Sequence, residues 1–242
     1  MLKIFRRIRQ QLIFKNKISS YLLYAIGEIV LVMIGILLAL QVTNWNEEKK
    51  LKNQLNTILK TVSLDLKTDT IVANNIIRFY DTVKKKSDLI IQQKLNRNNY
   101  KDCPECRSLV SIYQPFVVQQ KGHELLKKFS NNNQIENDTL VTNITQFYTT
   151  FKVLIEDSNA FIKEEVFKNI EIFKSKDWFV DWTLGAYSEK MIIFFTESEE
   201  YRKMVAANDI LARKNHKLFV DLYNRNAKNL LKKLNERFKD IE

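Results

Sequence analysis

The stretch YLLYAIGEIVLVMIGILLALQV, Tyr21 to Val42, carries one charge, Glu28, in 22 residues. At about 1.5 Å per residue such a helix crosses a hydrocarbon layer of about 30 Å. Tyr21 and Tyr24 on one side and Trp45 on the other stand where interfacial aromatics belong. The sequence therefore predicts a transmembrane helix over 21–43.

Ahead of it, residues 1–20 hold Lys3, Arg6, Arg7, Arg9, Lys15 and Lys17 without an acid. Behind it, Glu47 and Glu48 mix with Lys49, Lys50 and Lys52. The asymmetry places the basic segment in the cytoplasm and 44–242 across the membrane, in the periplasm of a bacterial inner membrane. Leu40-Gln41-Val42 is a poor cleavage site, which points to an uncleaved anchor. Phe5, Ile8 and Leu12 share a helical face opposite the arginines and suit the inner leaflet, although the same charges are also ordinary topology signals.

Glu28 lies inside the apolar run, where an ionised carboxylate is costly unless paired, protonated or near the headgroups. Gly35 and Ala39 form a small-xxx-small pair, and Gly27 precedes them by two turns. Together, Gly27, Glu28, Gly35 and Ala39 are the candidate residues for self-association or for a protein partner within the membrane.

The opening FRRIRQQL and the run YLLYAIGEIVLVMIGILLALQVTNWNEEKK resemble the N-terminus of a family of uncharacterised single-pass membrane proteins of Bacteroidetes-type bacteria. A weaker similarity covers ELLKKFSNNNQIENDTLVTNITQFYTTF, Glu124 to Phe151, with Asn131 to Asn133 where the family usually has a turn glycine. The resemblance implies an envelope-anchored helical domain and brings no activity, cofactor or catalytic residue with it.

Beyond Trp45, only four glycines and two prolines in 242 residues leave too little turn chemistry for many short strands. Leu51, Leu55, Ile58, Leu59, Val62 and Leu66 recur at helical spacing, and the pattern continues through Ile76, Ile77, Tyr80 and Val83 toward Leu95. NRNNYKDCPEC breaks it. A shorter helix is expected from Pro115 to Phe129, then a polar turn at Asn131 to Asn133, then a long helix capped by Asn137 or Asp138. A last helix follows Thr196 and runs to the end of the chain. The expected fold is all-α: one N-terminal transmembrane helix followed by an antiparallel helical bundle.

A net charge of +11 points to nucleic acid or anionic surfaces, but the lysines are scattered among acids rather than interleaved with aromatics, so no nucleic-acid partner is expected. Cys103-Pro104-Glu105-Cys106 is the one motif with chemical character, and a structural loop disulfide, free thiols, half a metal site and thiol redox chemistry all fit a CxxC pair. Arg107 stands where haem attachment needs histidine, and His123 and His216 are far apart for a shared metal. Trp178, Phe179, Trp182 and Tyr187 suit either a ligand pocket or closure of a bundle end. With no serine-histidine-acid set or phosphate loop, the expectation is a non-enzymatic, membrane-anchored interaction or ligand-binding module without a cofactor. A thiol-redox or metal-binding protein using Cys103 and Cys106 is the alternative.

Overall fold

The structure is a computed structural model that describes residues 18–133 and 138–239. The basic segment with Phe5, Ile8 and Leu12, and Asn137, lie outside the described residues. The chain divides into two compact units, Met1–Leu55 and Asn56–Glu242. Every regular element among the described residues is helical.

α1 spans Ile18–Ile91 as one helix and contributes to both units. In the first unit its apolar side chains face outward; Leu31, for example, is 70% exposed. This helix is long and apolar enough to cross a membrane, and none of its most apolar window is buried.

In the second unit α1 buries Leu59, Val62, Leu66, Asp69, Ala73, Ile76 and Tyr80, a strict alternation of threes and fours. α3 (Thr139–Lys174) repeats the rhythm with Val141, Ile144, Tyr148, Ile155, Ser158 and Ile162. α7 (Leu218–Lys239) does so with Val220, Tyr223, Ala227, Leu230 and Leu234. Such spacing keeps one stripe of each helix facing its neighbours, as in coiled-coil packing.

The contacts fix the helix directions. Tyr223 and Asn224 meet Asp69 and Asn74, whereas His216 and Lys217 meet Tyr80 and Asp81, so the last helix runs opposite to α1. α3 runs the same way as α1. Its early Tyr148 stacks on His123, beside the Gly122 that bonds Asp65, while its late Phe173 joins Ile90 in one apolar cluster. The two are parallel because the chain over 92–133 travels back along α1 before α3 begins.

That return contains turns, 3-10 helices at Tyr100–Asp102 and Pro104–Ser108, an extended strap over 112–120, and α2 (Lys121–Asn133). Helix was expected from Pro115, but it starts six residues later. Pro115 pushes Gln114 toward extended backbone. Phe116 and Val118 then face inward while Val117 is exposed, the alternation of extended chain rather than of helix. α2 continues through Asn133, past the start of the expected polar turn, and 134–137 lie outside the described residues.

Asp138 caps α3 by accepting from the backbone N–H of Leu140 (3.0 Å) and Val141 (3.2 Å), and it pairs with Arg237. The final helix is not one uniform run. α4 (Phe179–Thr183) and α5 (Glu189–Glu197) precede α6 (Glu199–Asp209), which starts at the Ser198 cap. A π-helix over Ile210–Lys217 then leads into α7. These wide turns carry His216 to full burial.

At Gly122 the start of α2 packs directly on α1: a Cβ there would sit 2.6 Å from the backbone of Val62. Gly122→Ala should cost about 1–3 kcal/mol, read as a lowered denaturation midpoint of the full chain with its helical signal otherwise retained.

Candidate functional site

Cys103 and Cys106 form a disulfide, S–S 2.02 Å, and are 5% and 1% exposed. Thiol exchange requires an attacking thiolate to reach one sulfur, and this burial opposes it. The surrounding groups hold the turn rather than open it. Tyr201 donates its hydroxyl to the Cys106 carbonyl, and Trp182 Nε1 donates to the Arg107 carbonyl at 3.3 Å. The Arg107 guanidinium lies over the Tyr187 ring at 4.7 Å and donates to the Ala186 carbonyl at 3.1 Å.

The four aromatics singled out in the sequence therefore divide. Trp178 is buried against Phe173, Phe194 and Phe195, with Phe179 and Trp182 packed on the same cluster. Tyr187 stays at the surface and clamps the disulfide turn through Arg107. Apolar closure of a bundle end accounts for Trp178, Phe179 and Trp182, and Tyr187 serves the turn instead.

The polar chemistry of the second unit gathers instead along the strap. Asn208 Nδ2 donates to the Leu109 carbonyl (3.3 Å) and Asn169 Nδ2 to the Val110 carbonyl (3.1 Å). The Gln114 N–H donates to the Tyr80 oxygen (3.0 Å), and Tyr80 donates back to the Gln114 carbonyl (3.1 Å). Asn159 accepts from the Phe116 N–H (3.0 Å) and donates to its carbonyl (2.7 Å), a two-point clamp. Asp69 accepts from the Gln119 N–H (3.2 Å) and the Tyr223 hydroxyl, and Asp65 accepts from the Gly122 N–H (2.6 Å). The last bond lies at the start of α2, where a negative charge is favourable.

His216 is fully buried in this network. A carbonyl only accepts, so Nε2 donates to the Gln114 carbonyl at 3.2 Å. Nδ1 is then the acceptor for the Ser158 hydroxyl at 2.9 Å, and the ring is neutral. Burial lowers its pKa to about 4. A serine beside a histidine is suggestive of a nucleophile, but both are 2% exposed or less, which leaves a substrate no approach. His123 is stacked on Tyr148, centroids 4.7 Å apart, and burial lowers its pKa as well.

Burial raises the Asp69 carboxyl to about 6, although the bonds from Tyr223 and Gln119 favour its charged form. Asp69 was not singled out in the sequence. Its signal was legible there, since it occupies the seam position between Leu66 and Ala73, where a carboxylate is unexpected.

Among the described residues, no group of three or more His, Cys, Asp or Glu gathers as a metal site. In the first unit, a Cβ added to Gly27 or Gly35 would meet nothing within 4 Å, and the Ala39 carbonyl accepts from Thr43 Oγ1 at 3.0 Å. Glu28 is partly exposed.

These features define a helical protein with one candidate membrane span and a disulfide-closed turn. Residues 28–110 match the model of a family of unknown function (DUF6090). The matched stretch runs from Glu28 through α1 and the disulfide turn to Val110, so α2 to α7 lie beyond it. No curated protein and no solved structure matches the chain.

Two titrations should oppose each other. Asp69 is raised above its ordinary value, so its contribution to stability is complete below pH 3.8 and is lost as pH rises toward 6. His216 is lowered, so its contribution is complete above pH 6.5 and is lost as pH falls toward 4. In denaturant titrations between pH 4 and 6.5, Asp69→Asn should become less costly as pH rises, and His216→Gln less costly as pH falls. Replacing both cysteines by serine should cost about 2 kcal/mol, the loop entropy of so short a closure, and should leave the fold intact by circular dichroism.

Proposed function

We propose that this chain is a single-pass protein of a bacterial inner membrane whose helical unit serves as a non-catalytic binding module on the periplasmic side. The observation that carries the reading is the run from Leu22 to Val42, whose described large apolar side chains are all exposed, a surface that water does not favour and lipid does. The basic flank Lys3 to Lys17 supports a cytoplasmic N-terminus. The N-terminal likeness to single-pass proteins of Bacteroidetes-type bacteria supports the same placement.

The module reading rests on the second unit. Asp69 and His216, both shifted by burial, are locked into backbone bonding rather than open to a substrate. The buried disulfide speaks against thiol exchange at Cys103 and Cys106.

Within the membrane the partner is a second helix, most simply that of another copy, seated on Gly27, Gly35 and Ala39 with Glu28 at its edge. Short side chains let two backbones approach closely, and polar atoms gain more from a neighbour there than in water. Crosslinking in isolated membranes should trap a dimer of the full chain, and Gly35→Ile with Ala39→Ile should reduce its yield severalfold while the amount of inserted protein is unchanged. A chain that stays monomeric at every expression level would remove the self-association arm, and a helical unit labelled only from the cytoplasm would remove the topology.

A further inference from the structure

The seam between α3 and α7 is sealed by aromatic contacts where Phe147 and Phe151 reach Tyr223, at 4.8 and 5.6 Å. Alongside, it opens into a cleft of about 580 Å³. Asn143 and Gln146 stand on the α3 wall, Asn226 and Asn229 on the α7 wall with Lys232, Lys233 and Glu236 further along it, and Phe151 lies in the lining between them. Positions flanking a heptad seam usually carry long charged side chains whose stems cover the apolar floor. Here Lys232, Lys233 and Glu236 keep that role at one end of the cleft, while four carboxamides take it at the other and leave half-buried Phe151 within reach from outside.

A carboxamide offers two donors and an acceptor oxygen, and it does so without charge. Two facing pairs of them suit a ligand whose groups each donate and accept, while an aromatic floor suits an apolar ring face. The volume lies in the range of small-ligand sites, about 300–1,000 Å³. Polyhydroxylated pyranose rings have both properties, with hydroxyls around the edge and C–H groups on the faces. We propose that this cleft binds a neutral glycan strand. The proposal gives a ligand class to the binding module and rests on that reading.

The test uses the full chain in lipid nanodiscs with two probes, the tetramer of N-acetylglucosamine and cellotetraose, read by saturation-transfer NMR. Transfer to at least one tetrasaccharide is expected. Asn143→Ala combined with Asn226→Ala should weaken binding by about tenfold, the loss of two neutral hydrogen bonds. Thermal unfolding of the double variant should match the parent, because both side chains lie at the surface of the seam. No transfer to either glycan, or transfer that the double variant leaves unchanged, overturns the assignment, and so does transfer only to a helical control peptide. Dimer crosslinking on the same preparation separates the two readings: glycan binding lost with the dimer retained defeats the cleft alone.

Discussion

A length of extended chain buried among helices has no sheet to bond to, and every amide in it must find a partner or lose its hydration without return. The strap over 112–120 and the residues on either side of it meet that constraint with side chains. Asparagines from α3 and α6, a tyrosine and two aspartates from α1, and a histidine from the π-helix each reach a backbone group of the strap. The helices are therefore held in register by the strap as well as by their apolar seams. A helix displaced along its axis by one residue would leave strap amides unpaired at several points at once.

This arrangement explains why polar residues sit where the heptad pattern calls for apolar ones. Asp69 and Ser158 occupy seam positions, and each has a partner there. A buried carboxylate or imidazole is costly in itself, and its use lies in specifying one alignment among several that apolar seams would tolerate. The parallel direction of α1 and α3 follows from the same element, since the return over 92–133 runs back along α1 before α3 begins.

The helical class and the apolar span could be read directly, because both depend on local periodicity and composition. So could the Asp138 cap of α3, one of the two residues expected to provide it. The strap was misread. Phe116, Val117 and Val118 are equally compatible with a helix start until the side chain that takes the Phe116 amide is known, and that is Asn159, 43 positions away in sequence. Asn159, Asn169 and Asn208 carried no individual signal in an asparagine-rich chain. The disulfide stood among the open readings of CxxC, and what sets it apart from a redox pair is burial, which no spacing encodes. The family match, from Glu28 to Val110, covers most of the candidate span and the disulfide turn but neither the strap nor α2 to α7.

The consequence for function is mechanical. A module whose core is tied together by a buried strap presents its outer faces as a fixed surface, which suits binding more than conformational switching. Hydrogen–deuterium exchange on the full chain tests this most directly. The account predicts that the amides of Phe116, Gln119 and Gly122 exchange as slowly as the core of α3, and that Asn159→Ala and Asp69→Ala each release their own bonded amide first. Exchange of those three amides at the rate of an exposed loop, with α3 still protected, would show that the strap does not hold the helices together and would contradict the account.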